Sequence, residues 1–198
     1  MITGKSAFLT LGISLAMFST STLANQNTFT NSVYFGAGLA QTSLELNEQN
    51  IKANNLVATQ ADFKANQNGY TLFIGTNIDR HLALEIGYSS LGDIQLTHNN
   101  QTNELFSVDS IFLNTALSYP ITKNTDIYAK LGISEWSIDS INSNFNDYGT
   151  GLNYGMGLDI NLYDAKNRTL RLEWMHQEFD EIALSTSDTI TASMVFNF

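Results

Sequence analysis

The sequence predicts an all-β protein, built as an eight-stranded antiparallel up-and-down transmembrane β-barrel. Apolar side chains alternate with small or polar ones in eight separate segments, which is the period of a strand with one apolar face. Hydrophobic residues make up 43% of the chain, yet no apolar run reaches the roughly 18 residues of a membrane-spanning helix. Long polar connections alternate with short turns, as in outer-membrane barrels.

The composition argues against several classes of protein. The 198 residues are enough for one domain and include no cysteine, so disulfides, zinc-thiolate sites and cysteine nucleophiles are excluded. Charged residues make up 14% of the chain, compared with about 25% in soluble domains. The net charge of −10 argues against nucleic acid as a partner.

Residues 1–24 are predicted to be a secretory signal that is cleaved after Ala24. Lys5 supplies the positive start, residues 7–18 form an apolar core, and small residues precede the cleavage site. That core is too short to span a membrane as a helix. The mature barrel would be residues 25–198, exported to the outer membrane of a Gram-negative type of cell.

The first four strands carry large apolar side chains on one face and small or polar side chains on the other. They are predicted at residues 32–44, 69–78, 82–91 and 110–119. Gly36 and Gly38 of the first strand do not form a nucleotide-binding loop, because the third glycine and the following helix are missing. They are expected to face a narrow lumen. Pro120 ends the fourth strand, where a missing N–H costs least.

The last four strands repeat the pattern more clearly. They are predicted at residues 126–136, 148–162, 169–177 and 189–198. In the sixth strand Leu152, Tyr154 and Met156 share one face, whereas glycine and asparagine fill the other. A soluble sandwich would need bulk on its buried face, so glycine there favours a barrel with its large residues in lipid. The terminal strand ends on Phe198, an apolar end that a closed barrel would pair and cover with lipid.

The connections set the expected orientation of the barrel. Residues 45–68, 92–104, 137–147 and 178–188 are predicted as long extracellular loops, and the shorter turns would face the periplasm together with both termini. Aromatic residues near the strand ends are expected to form interfacial girdles. They are Tyr34, Tyr88, Tyr119, Tyr148, Trp174 and the terminal pair Phe196 and Phe198.

Three segments carry a family resemblance. Residues 117–136 read LSYPITKNTDIYAKLGISEW, residues 79–88 read DRHLALEIGY, and residues 170–174 read LRLEW. With these segments the chain resembles the transmembrane domain of OmpA-type outer-membrane proteins over roughly residues 30–198. Such proteins usually continue into a periplasmic peptidoglycan-binding domain, whereas this sequence stops at the eighth strand. The family often has a lumen lysine on strand four, where this sequence has Ala116.

Five ionisable side chains are predicted to point into the lumen. They are Glu85, Lys130, Asp159, Arg171 and Glu173. An eight-stranded barrel is only wide enough for its own side chains, so these groups are expected to pair with one another. The resemblance implies that Glu85, Lys130, Asp159 and Arg171 match the lumen network of the family. Three interpretations stay open: a polar plug, a gate in which Arg171 exchanges acidic partners, and a catalytic carboxylate.

The residues favour neither an enzyme nor a metal or cofactor site. His81, His98 and His176 are too dispersed in the predicted barrel to converge on a metal. The sequence has no GxSxG nucleophile motif. Met175-His176-Gln177 also lacks the serine, two residues after histidine, that is seen in barrel deacylases acting on lipid A.

The predicted outer rim is strongly acidic. Two lysines, Lys52 and Lys64, accompany thirteen acids there. The acids are Glu45, Glu48, Asp62, Asp93, Glu104, Asp109, Glu135, Asp139, Asp147, Glu178, Asp180, Glu181 and Asp188. This surface could simply be solvated. Alternatively, a patch of Glu178, Asp180 and Glu181 could bind divalent cations that bridge to lipopolysaccharide, or a basic partner.

The sequence supports one main functional hypothesis and two alternatives. The main one is a structural outer-membrane barrel of OmpA type, with a polar plugged lumen, that supports envelope integrity. The expected partners are membrane lipid, lipopolysaccharide, and the barrel assembly machinery, which would meet the strand ending at Phe198. The alternatives are a surface adhesin or resistance barrel that binds a partner through its loops, and a narrow gated ion pore.

Overall fold

The computed structural model describes residues 32–46, 64–98, 101–140, 146–162, 167–179 and 184–198. These residues form a closed antiparallel barrel in which each strand pairs with the next along the chain and the last pairs with the first. The strands are β1 Val33–Leu46, β2 Lys64–Asn77, β3 Leu82–His98, β4 Gln101–Pro120, β5 Thr125–Ser140, β6 Asn146–Asn161, β7 Arg168–Glu178 and β8 Leu184–Asn197. The predicted fold class is confirmed. The predicted signal sequence, residues 1–24, lies outside the described residues.

Within the described part of the chain, no helix is long and apolar enough to cross a membrane.

The terminal strand closes the barrel as its alternation predicted. β8 pairs with β1 from Tyr34 opposite Asn197 to Glu45 opposite Thr186. Both strands that would otherwise be edges therefore have their backbone groups paired.

Side chains alternate between the outer surface and the lumen along each strand. In β6, Leu152, Tyr154 and Met156 are exposed on the outer surface, whereas Asn153 and Gly155 between them are buried. The large apolar residues thus face outward, the reverse of a soluble sandwich. This arrangement suits a barrel surrounded by lipid.

The strands extend further at one end of the barrel than the sequence predicted. β3 runs to His98 and β4 begins at Gln101, so the predicted loop at 92–104 is wrong. The predicted loops at 45–68, 137–147 and 178–188 are shortened in the same way. Beyond the lipid nothing requires apolar residues on the outer face, so the alternation fades while backbone pairing continues. This end, which carries the connection 47–63, is called the outer end below.

Two local features depart from regular strand geometry. Gly92 has a φ of 98° and lies where the pairing of β3 with β4 shifts register. That left-handed conformation suits glycine at a β-bulge. Tyr34, predicted as part of an aromatic girdle, is instead 4% exposed and faces the lumen. That prediction was wrong because strand alternation places Tyr34 inward, and its nearness to the strand end does not change its face.

Candidate functional site

The five predicted lumen residues come together in the barrel interior. Four strands supply them, because β3 carries Glu85, β5 carries Lys130, β6 carries Asp159, and β7 carries both Arg171 and Glu173. Each occupies an inward position of its strand, and Asp159 lies directly opposite Arg171 in the pairing of β6 with β7. We call these five side chains the lumen network.

The lumen network is a row of alternating charges. Arg171 donates from Nε and Nη2 to the two carboxylate oxygens of Asp159, both at 2.7 Å, and from Nη1 to Oε1 of Glu85 at 2.5 Å. The ammonium nitrogen of Lys130 lies 2.5 Å from Oε2 of Glu85 and also contacts Glu173. The order is therefore acid, base, acid, base, acid, with Glu85 at the centre.

Aromatic residues complete the surroundings of the lumen network. The hydroxyl of Tyr34 donates to Oε1 of Glu85, and that of Tyr128 donates to Oε2 of Glu173, each at 2.7 Å. The guanidinium carbon of Arg171 lies 4.7 Å from the ring centroid of Tyr128 and 5.2 Å from that of Phe73. Such distances allow cation–π attraction. Tyr34 was predicted in an aromatic girdle, and Phe73 and Tyr128 were assigned no role, although alternation places all three inward.

Glycines make room for two of these rings. Gly75 lies opposite Tyr34, and Gly36 lies opposite Phe73, in the pairing of β1 with β2. A Cβ atom at either glycine would overlap the facing ring. The inward glycines of β1 and β2 therefore allow aromatic side chains to lie flat across a narrow lumen.

The lumen network is almost completely buried. The side chains of Glu85, Lys130 and Arg171 are between 0% and 6% exposed. An unpaired ion at such a site costs several kcal/mol, so burial is tolerable only because each charge has an opposite neighbour. Three acids and two bases leave the network with one excess negative charge. Chemically, this arrangement links the four strands that supply it through ion pairs inside the barrel.

The lumen contains two spaces, one on each side of the lumen network. On the periplasmic side is an open cavity of about 400 Å³, whose wall includes Ser118, Asp126, Asp159 and Arg171. We call it the periplasmic cavity. On the outer side is a space of about 40 Å³, the middle pocket, whose lining includes Ser110 and Glu173.

A second cluster of buried side chains lies nearer the outer end. It is entirely apolar and consists of Leu44, Leu91, Val108, Trp136 and Phe179. We call it the outer apolar cluster. The sequence analysis missed it, although the same alternation that places Lys130 inward also places Trp136 inward.

Comparison with known proteins identifies the family. A sequence model described as the OmpA-like transmembrane domain matches residues 28–198. The chain belongs to the OmpA-like transmembrane domain family. The resemblance carried by residues 117–136 is thus confirmed.

Curated relatives of this OmpA-like barrel are longer proteins. Outer membrane protein A of Shigella flexneri is 25% identical over 183 residues, covering 89% of this chain and 50% of the relative. Outer membrane protein A of Klebsiella aerogenes is 31% identical over 134 residues, covering 67% of this chain and 37% of the relative. The chain therefore spans half or less of the length of these two relatives.

Solved structures share the OmpA-like fold. Neisserial surface protein A superposes with a TM-score of 0.62 at 15% identity, covering 85% of this chain and 100% of that one. The attachment invasion locus protein of Yersinia pestis gives a TM-score of 0.55 at 14% identity, covering 85% of this chain and 99% of that one. At these identities the likeness concerns the fold alone. The family match and the relatives locate the protein in the Gram-negative outer membrane.

One departure from the OmpA-like pattern has a geometric explanation. The family resemblance implied a lumen lysine on strand four, where this chain has Ala116. In the pairing of β4 with β5, Ala116 lies directly opposite Lys130. The ammonium group therefore enters the same level of the lumen from the neighbouring strand.

Two of the histidines, His81 and His176, lie away from the lumen network. His81 is in the turn after β2, where its Nδ1 lies 2.9 Å from the carbonyl oxygen of Ser118. His176 is on the outer surface, with its Nδ1 2.9 Å from Oδ1 of Asp188. Among the described residues, no three His, Cys, Asp or Glu side chains form a group that could hold a metal ion.

Parts of the acidic rim and the third histidine are not described. Glu178 is the last residue of β7 and is exposed. Asp180 and Glu181 lie outside the described residues, as does the side chain of His98. The predicted cation patch therefore stays a prediction.

Proposed function

We propose that this OmpA-like barrel is a structural protein of the outer membrane, with a plugged lumen, that supports envelope integrity. The observation that carries the proposal is the lumen network, in which Glu85 is ion-paired to both Lys130 and Arg171. Contacts of this kind join β3, β5, β6 and β7 across the barrel. They favour a rigid, obstructed cylinder over an open channel, and the proposal assigns it no catalytic activity.

A deletion strain tests the structural role. Loss of the protein should increase leakage of periplasmic enzymes and sensitivity to detergent, and re-expression of the parent barrel should reverse both. An unchanged envelope in the deletion strain would contradict the proposal. Refolded protein in a planar bilayer provides a second readout, because stable single-channel steps from the parent barrel would favour the gated-pore alternative instead.

A role in surface binding is the second candidate, and the β3–β4 hairpin favours it. β3 has 17 residues and β4 has 20, whereas about 9–11 residues suffice to cross the membrane. The surplus, at about 3.3 Å per residue, raises the hairpin well above the lipid. A projecting paired hairpin suits the display of a binding surface. Of the two solved structures, one is by name a surface protein and the other an attachment invasion locus protein.

Shortening the hairpin tests the second candidate. A variant lacking residues 94–105 should keep the barrel but lose adhesion of bacteria to host cells or abiotic surfaces. A matched control that shortens the periplasmic turn at 121–124 by one residue should keep adhesion. Equal adhesion by the parent and the hairpin variant would reject the surface-binding role.

Lipopolysaccharide held by divalent cations is the partner that the acidic rim favours. Replacing Glu178, Asp180 and Glu181 by their amides should remove any stabilisation that calcium gives to the barrel in lipopolysaccharide-containing vesicles. Calcium stabilisation that survives the triple replacement would contradict cation bridging at this patch. The strand that ends at Phe198, which is exposed, is the surface we propose for the barrel assembly machinery.

A further inference from the structure

The outer apolar cluster lies across the outer mouth of the barrel. Its members come from β1 and β5 near their outer ends, from β3 and β4 below their projecting hairpin, and from the residue after β7. All five are at most 7% exposed, and the rings of Trp136 and Phe179 meet edge to face with centroids 5.4 Å apart. Apolar side chains therefore fill much of the lumen at this level, beside the buried hydroxyl groups of Ser110, opposite Trp136, and Ser187, opposite Leu44.

The outer apolar cluster and the lumen network lie at different levels of the lumen. The middle pocket lies between them, because Leu91 of the cluster and Glu173 of the network both contribute to its lining. Its volume of about 40 Å³ is close to that of a single water molecule. Hydroxyl groups, including those of Ser110 and Thr189, and side-chain amides supply most of the remaining lining, together with the apolar side chains of Phe112 and Met175.

The periplasmic side of the lumen network is different, because a much larger space reaches it. The periplasmic cavity of about 400 Å³ extends from residues 79–81 and Pro120 to Arg171 and Asp159. The side chain of Asp159 is 17% exposed, against 0% for Glu85. Among the described residues, a wide cavity therefore reaches the network from the periplasmic side, whereas the space that adjoins it on the outer side is the small middle pocket, beside Glu173, whose side chain is 10% exposed.

We infer that the lumen is a blind pocket of the periplasm, closed by two permeability barriers in series, the lumen network and the outer apolar cluster. The barriers work by different physics. Charged groups can exchange partners or be titrated, whereas an apolar constriction excludes ions by being dry. Rearranging the lumen network alone would not open a path across the membrane. This inference goes beyond the proposed structural role, because it concerns permeation and can hold whether or not the protein supports the envelope.

Two matched cysteine positions test the inference. The chain has no cysteine, so a single introduced thiol gives an unambiguous signal. Ser118 and Ser110 both face the lumen from β4, but Ser118 lines the periplasmic cavity and Ser110 lines the middle pocket. Ser118→Cys and Ser110→Cys replace a hydroxyl by a thiol with little change in size.

The reagent is a charged, membrane-impermeant methanethiosulfonate added to one side of barrels in vesicles, whose orientation is assigned by proteolysis of the outer loops. Ser118→Cys should react from the periplasmic side only, and Ser110→Cys should be protected from both sides. Adding Trp136→Ala and Phe179→Ala should raise the outer-side reaction rate of Ser110→Cys at least tenfold. Ser118→Cys should stay protected from the outer side in that background, because the lumen network remains.

Several results would overturn the inference. One is rapid outer-side labelling of Ser110→Cys in the parent barrel, and another is an unchanged rate after both aromatic side chains are removed. Outer-side labelling of Ser118→Cys in the parent would also contradict it. If the double alanine variant does not fold, Phe179→Ser gives the same comparison with a smaller cavity, and folding is checked by circular dichroism. A normal or defective envelope in the deletion strain affects none of these rates.

Discussion

Replacing Glu85 by glutamine should weaken the barrel more than any other single change in the lumen network. Glu85 is fully buried and is the one acid that contacts both bases, at 2.5 Å from each. The amide keeps the size and shape of the side chain but carries no charge. Arg171 and Lys130 would then face each other across a neutral group, and each would keep a single acidic partner.

The expected cost follows from two opposing effects. An ion pair at about 4 Å contributes roughly 4 kcal/mol at an effective dielectric constant near 20, and two such pairs are lost. Glutamine avoids the several kcal/mol that burying the carboxylate costs, which offsets part of this loss. The net decrease in the free energy of unfolding should be about 3–5 kcal/mol, the range seen when one partner of a buried ion pair is removed.

Urea unfolding in lipid vesicles, followed by the fluorescence of the two tryptophans, measures this loss. Glu135→Gln is the matched control, because Glu135 is exposed on the outer surface of β5. The control should change stability by no more than about 0.5 kcal/mol. If Glu85→Gln were as stable as that control, Glu85 would not be the electrostatic centre of the lumen, and the argument for a plugged barrel would fail.

Three further predictions concern the membrane face, a turn and the lysine. Leu131→Arg places a charge at an outward position that is 58% exposed, and it should lower the free energy of unfolding in urea by about 2–4 kcal/mol. Ile121→Arg, in a periplasmic turn, should lower it by about 0–1 kcal/mol. Hydrogen bonds from backbone N–H groups hold the pKa of the exposed Asp79 carboxyl below its usual 3.8. The ionised carboxylate therefore stabilises the turn above that pH, and this stabilisation is lost as the pH falls through the lowered pKa. NMR titration of the carboxyl group would show the lowered pKa, and Asp79→Asn should abolish the pH dependence. Lys130→Ala should destabilise the barrel, and adding Ala116→Lys should restore most of the loss, as measured by the same urea assay.

The membrane-spanning part of the fold could be predicted from sequence because one physical constraint acts on it at every position. Lipid on one side and a narrow lumen on the other force apolar and small or polar residues to alternate, as Leu152, Asn153 and Tyr154 show in β6. The strand count, the neighbours of each strand and the inward direction of Glu85 all follow from that alternation. Where lipid ends the constraint ends, so the sequence did not indicate that β3 and β4 continue to His98 and Gln101.

The candidate site could be predicted only in part, because inward charged residues stand out in a sequence whereas inward apolar residues do not. The inward charges were identified, yet Trp136 occupies an inward position by the same rule and was not considered, and Phe179 follows β7 in a segment predicted as a loop. Because a polar lumen was expected, apolar residues were not predicted to fill part of it. Alternation assigns a face to each residue, but it does not say which inward side chains meet at one level. That depends on the stagger between strands, which pairing registers such as Gly75 opposite Glu85 define only in the structure.

The position of Lys130 shows that residues on neighbouring strands can lie at the same height in the lumen. Lumen sites of two barrels are therefore better compared by this height, or level, than by strand. Directly opposed residues on antiparallel strands have Cβ atoms about 4.5–5.5 Å apart, which is less than the reach of a lysine side chain. Ala116 and Lys130 are such a pair, so a lysine on either strand can bring its ammonium group to Glu85. Aligned by strand, the sequence loses a lumen cation at position 116. At this level the lumen network keeps Lys130, the base that the resemblance already matched, and lacks the further lysine of strand four.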